Sequence, residues 1–209
     1  MMKNVLISTV TVMFFVACDA GDKIQSTIDD IQEEYFEEQV VGSYDESNVT
    51  LSDEELNASL SQQKLALLKT HNDARAEVGV NNALVWDNTL EAAAQVYADV
   101  LAKKGTFEHD PKNRSNAYGE NLYAWTNKPT LAYAAKAWVD EKDFYRYGKV
   151  GDAATCTQEP CGHYTQIIWK DTKKVGCAMS QYTAGTFNGG YVVVCKYQTP
   201  GNYIGETPY

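Results

Sequence analysis

Histidine is scarce in this chain of 209 residues, with only 3, and basic residues are too few to balance the acidic ones, 18 Lys and Arg against 28 Asp and Glu. The net charge of −10 would repel a phosphate backbone, which excludes nucleic acid as a natural partner. The sequence holds no H-E-x-x-H, no G-x-S-x-G, no phosphate-binding loop and no C-x-x-C pair. The best-defined motifs of zinc proteases, serine hydrolases, nucleotide hydrolases and thiolate zinc sites are therefore missing. Collagen-like, coiled-coil and multi-span membrane compositions are absent too. What remains, 44% hydrophobic and 22% charged, is material for one globular domain and a tail.

Residues 1–18 have the form of an export signal: Lys3, then an apolar stretch from Val5 to Val16 that is too short for a stable span and ends in small residues. Phe15-Val16-Ala17-Cys18 resembles the lipobox of bacterial lipoproteins, with Phe15 where leucine is usual, which makes Cys18 the expected lipidation site. Cleavage near Ala17 or Ala20 is the alternative. Residues 19–51 carry ten acidic residues against Lys23, and read as an acidic, solvated, disordered tether. Removing their −9 and the +1 of Lys3 leaves residues 52–209 at −2, so the acidity belongs to the tether. The expected location is outside the cell or in the envelope, with membrane attachment only through lipid on Cys18.

Within 52–209, Ser52 and Glu55 form a capping box, and Leu56, Leu60, Leu67, Leu68 and Ala74 recur at helical spacing to about Val78. A second helix is expected after Asn88, ending at Gly105, and a third from Pro129 to about Lys142. Runs 175–182 and 191–197 alternate or are β-branched around Gly189-Gly190, and read as an antiparallel hairpin. The fold class is α+β, with helices on both faces of a sheet. Four cysteines remain beyond Cys18. Cys177 and Cys195 fall on the two hairpin strands, and Cys156 and Cys161 bracket a short turn, so the expected disulfides are 156–161 and 177–195. Oxidation also removes Cys161 as a nucleophile beside His163.

The segment Cys161-Gly-His-Tyr-Thr-Gln-Ile-Ile-Trp169 is similar to the central signature of the CAP superfamily: cysteine-rich secretory proteins, antigen 5 and plant pathogenesis-related class 1 proteins. The resemblance extends through His71-Asn-Asp-Ala-Arg75, Leu84-Val-Trp-Asp87, Gly119-Glu-Asn-Leu122, Trp138-Val-Asp-Glu141, Val175-Gly-Cys-Ala178 and Tyr191 to Tyr197. The ending, from Pro200 to Tyr209, looks most like the plant branch. It implies a three-layer α-β-α sandwich with a central antiparallel sheet, and agrees with the disulfide pairing. It also implies that His109, Glu120, Glu141 and His163 match the family's tetrad of two histidines and two glutamates lining a cleft. His71, inside a helix, reads as structural.

Two imidazoles and two carboxylates suit zinc or another divalent ion, with the imidazoles as first ligands and the glutamates binding through water or orienting them. Three functional readings follow. The preferred one is a binding module for a small lipid, a sterol or a fatty acid, or for an extracellular protein partner. The aromatic-rich stretch from Tyr123 to Tyr147 suits an apolar groove edged by hydroxyls. The second is a metal-dependent hydrolase using Glu120 or Glu141, for which no catalytic residue is otherwise assigned. The third is a cell-surface or defence-type interaction protein in which the tetrad is structural only.

Overall fold

The computed structural model describes residues 53–157 and 161–209. The export signal, Cys18 and the acidic tether lie outside the described residues. In chain order the elements are α1 (Asp53–Glu77), β1 (Val85–Trp86), α2 (Asn88–Lys104), α3 (Asn113–Asn116), β2 (Gly119–Trp125), α4 (Leu131–Asp140), a 3₁₀ turn (Glu141–Phe144), α5 (Gly162–Ile167), β3 (Lys174–Gln181) and β4 (Tyr191–Gln198).

The four strands make one sheet in the order β1-β3-β4-β2. The β3–β4 and β4–β2 pairs are antiparallel, while β1 joins β3 in parallel through Val85 and Trp86. The expected antiparallel sheet is thus mixed at one edge, because β1 and β3 are not hairpin neighbours and α2 and β2 intervene between them. Alternation along β4 divides its side chains between two cores. Val192 and Val194 meet Tyr97, Ala98 and Leu101 of α2, while Val193, Cys195 and Tyr197 face Leu67, Trp138 and Ile167 of α1, α4 and α5. Helices on both faces complete the expected α-β-α sandwich.

Local sequence explains most boundaries. Asp87, one residue before the expected cap, accepts from the Thr89 and Leu90 amides and starts α2. Gly105 ends it in the left-handed region at φ 67°. Gly176 on β3 is required by packing, since a Cβ there would collide with the α2 backbone at Glu91. Thr130 caps α4, and the third expected helix passes into the 3₁₀ turn after Asp140. The inward stripe of α1 keeps Leu67 and Ala74 of the expected set, Leu60 is exposed, and among the described side chains His71 and Arg75 are buried with them, while the expected cap at Ser52 and the Leu56 side chain lie outside what the structure describes.

Both disulfides join the expected partners. Cys177–Cys195 crosses directly paired positions of β3 and β4, and Cys156–Cys161 closes a short loop ahead of α5. The Arg75 guanidinium is fully buried and donates to the carbonyls of Asn82, Ile167, Trp169 and Thr172. It ties the end of α1 to the connection after α5. Burial lowers its pKa to about 10.

Candidate functional site

Strand β2 enters the sheet at Gly119, and its next two residues point to opposite faces. Glu120 lies on the α2 side, in register with Lys196 of β4. Its Oε1 accepts from His109 Nδ1 at 2.6 Å and from the Asp110 amide at 3.0 Å, and its Oε2 accepts from Lys196 Nζ at 2.6 Å. Burial alone would raise the Glu120 pKa, but the hydrogen bonds from His109 and Lys196 and the nearby ammonium charge outweigh it and hold the carboxyl below the usual range. His109 itself is exposed, on the loop between α2 and α3.

Asn121, on the other face, is buried. Its amide donates to the His163 carbonyl and to the Tyr197 hydroxyl, each at 3.1 Å. Tyr197 Oη in turn lies 2.9 Å from His71 Nε2, while His71 Nδ1 lies 2.9 Å from the Leu67 carbonyl. A carbonyl only accepts, so Nδ1 carries the proton and Nε2 accepts from the tyrosine. This buried relay joins α1, β4, β2 and α5. His71 is therefore structural. Burial, the larger effect, and the Arg75 charge together lower its pKa to about 4 despite the bond to Leu67.

His163 and Glu141 form the second pair. Glu141, first residue of the 3₁₀ turn, receives His163 Nδ1 on Oε1 at 2.5 Å and the amides of His163 and Tyr164 on Oε2 at 3.0 and 3.2 Å. The carboxylate thereby caps α5, whose first amides have no intrahelical acceptor. The His163 ring stacks on Trp138 at 6.0 Å between centroids, and the Trp138 indole donates to the Leu122 carbonyl.

The four residues of the expected tetrad are thus organised as two His–Glu pairs flanking the first residues of β2. Each carboxylate already accepts three hydrogen bonds, which suits orientation of the imidazoles better than metal ligation or proton abstraction from water. In both pairs Nδ1 is the engaged nitrogen, and among the described residues no protein atom hydrogen-bonds either Nε2. Among the described residues no group of three or more His, Cys, Asp and Glu side chains has the arrangement to hold a metal ion. Each glutamate holds its imidazole by Nδ1 and leaves Nε2 as the nitrogen turned to other partners.

Three participants were not singled out from sequence: Asp110, Asn121 and Lys196. Lys196 carried a usable signal, a lone charge within the β-branched run Tyr191–Tyr197. Beside the first pair, the outward side of α2 and the loop of residues 108–118 enclose an open groove of about 660 Å³. Its floor is apolar, with Ala92, Ala93, Val96 and Val100, and its walls carry charges of both signs, Lys104 and Lys112 beside Glu108 and Asp110. The aromatic stretch expected to form such a groove lies elsewhere: Tyr123, Trp125 and Tyr133 contact one another, with ring centroids 5.6 to 6.0 Å apart.

Comparison with known proteins agrees with this architecture. Residues 68–197 match the model of the CAP, or cysteine-rich secretory protein, family. The chain is 46% identical over 144 residues to pathogenesis-related protein 1A of Nicotiana tabacum, covering 68% of this chain and 78% of that one. It is 42% identical over 151 residues to pathogenesis-related protein PR-1 of Medicago truncatula, covering 70% and 79%. Among solved structures, BmVAL-1 superposes with a TM-score of 0.57 at 22% identity, covering 79% of this chain and 86% of that one. NaASP2, solved with Zn2+, gives 0.57 at 24% identity, covering 80% and 90%. With its sandwich, its two disulfides and its paired histidines and glutamates, the chain belongs to the CAP family of cysteine-rich secretory proteins.

Proposed function

We propose that the chain is an exported binding module that takes a small lipid, a fatty acid in preference to a sterol, in the groove along α2. The observation that carries this reading is the outward apolar face of α2, where Val96 is 67% exposed at the floor of the groove. An apolar floor with a few polar groups on the walls suits a ligand with one polar head. Asp110 is paired with Lys196, which leaves Lys104 and Lys112 against Glu108, and the positive balance on the walls favours a carboxylate over a hydroxyl. Export is supported by the signal read in residues 1–18 and by two disulfides, which persist in oxidising compartments. Lipid on Cys18 would place the module at a membrane surface.

Titration with a fluorescent long-chain fatty acid tests the reading. Saturable uptake is expected, and Val96→Glu, which places a charge in the floor, should weaken it by at least about tenfold. Because Val96 is exposed, the melting temperature should not move. Absence of saturable uptake, or equal uptake by the variant, contradicts the reading.

A second reading, a divalent ion on the imidazoles, is favoured by the Nε2 of each pair, which no protein atom among the described residues engages. A carboxylate on Nδ1 is how ligating histidines are commonly oriented. NaASP2, similar in fold, was solved with Zn2+. Zinc bound at His109 and His163 would supply Lewis acidity, with Glu120 and Glu141 holding the rings. Calorimetry with zinc at about pH 7.5 and about pH 5.5 should show binding lost at the lower value, where protons compete for imidazole. Equal affinities remove the histidines from the ligand set.

A further inference from the structure

Lys196 is a lysine where the fold calls for an apolar residue. Its neighbours on the same face of β4 are Val192 and Val194, and its side chain is 1% exposed. The ammonium has three protons and three oxygen acceptors: Glu120 Oε2 at 2.6 Å, Asn113 Oδ1 at 2.6 Å and Asp110 Oδ2 at 3.0 Å. The acceptors come from β2, α3 and the loop between α2 and α3. The Tyr97 ring closes a further side, with the nitrogen 4.8 Å from its centroid.

Two carboxylates and an amide oxygen around one buried positive charge are the ligand chemistry of a hard divalent cation, which binds oxygen and favours anionic donors. We propose that Asp110, Asn113 and Glu120 form a hard-cation cage whose resident cation is the chain's own Lys196 ammonium. Two consequences follow from this arrangement. The loop that carries His109 and walls the groove is fastened to the sheet without any bound ion, so chelators leave it in place. The cage also refuses calcium, because its charge is already matched and its centre is filled. The cage uses oxygen donors alone and is complete whether or not the groove takes lipid or the imidazoles take zinc.

Removing the ammonium while leaving the cage exposes the site. In Lys196→Ala, two carboxylates face each other around a space that water and an ion can enter, and the unbalanced charge attracts a divalent cation. The measurement is the thermal melt, and the refolding yield, of the full protein and of K196A in calcium and in chelator. The wild-type protein should melt at the same temperature in both. K196A should be stabilised or refold better in calcium, and bind it at least about tenfold more tightly than the wild type does. Adding Asp110→Asn to K196A should remove most of that response. A K196A protein that melts at the same temperature in calcium and chelator, or refolds equally poorly in both, overturns the proposal. So does a calcium response of equal size in the wild type.

Discussion

The two His–Glu pairs share residue types and use the same imidazole nitrogen, yet they sit in different surroundings. The Glu141–His163 pair is nearly enclosed, stacked on Trp138 and spent on capping α5. In the Glu120–His109 pair the carboxylate is buried and the imidazole is 56% exposed, on a loop that walls the groove. Side chains of matched type can thus sit in unlike environments. One pair stitches elements together, and the other stands where a ligand can reach it.

Substitutions at and around the two pairs separate their roles. The largest effect is expected at Glu120→Ala, which leaves the buried Lys196 ammonium without its nearest carboxylate. Removing one partner of a buried ion pair costs about 3–5 kcal/mol, and the remaining Asp110 places this case near the lower end. Denaturant unfolding checks it.

An effect of about 3 kcal/mol is expected from His71 through pH. Its folded pKa of about 4 lies below the unfolded value of 6.5, so between these limits the unfolded chain binds more protons. Its contribution is complete above the unfolded value and is lost as pH falls toward 4. The lowered pKa of Glu120 acts in the same direction, since its contribution too is lost on acidification. His71→Gln should flatten the slope of stability against pH between about 6.5 and about 4.

Glu141→Ala removes the acceptor of one imidazole and two amides at a site about a tenth exposed, for a loss of about 2 kcal/mol, and Glu141→Gln should recover part of it. Unlike E120A, it leaves the groove wall untouched, so fatty-acid uptake should persist. The smallest effect belongs to Lys136→Ala on the outside of α4, where an exposed i,i+4 pair with Asp140 contributes about 0.5 kcal/mol or less.

The layers, the disulfides and three helices were legible in sequence because each left a local sign: a cap before α2, Gly105 after it, and Cys177 and Cys195 on strands that alternate. The motifs around residues 109, 120, 141 and 163 singled out the paired residues. Their division into two pairs was not readable, because it depends on the tertiary placement of a loop, a strand, a 3₁₀ turn and a short helix that lie far apart in sequence. Strand β2 itself was missed: with both sheet faces covered, inward residues occur at consecutive positions, as at Asn121 and Leu122, and the polar–apolar alternation disappears. Helix α5 was hidden for a similar reason, since His163, Tyr164, Thr165, Gln166 and Ile167 are all buried and leave no periodic stripe. Lys196 reads by residue type as solvent-facing, and only the register of β4 with β2 reveals its anionic partners.

The most direct test of the contrast is the NMR signal of each histidine ring during titration with a long-chain fatty acid. From the unlike surroundings of the two pairs, the His109 ring resonance should shift saturably with ligand, while those of His163 and His71 stay in place. Equal shifts at His109 and His163, or saturable binding that leaves His109 unmoved, would contradict the contrast.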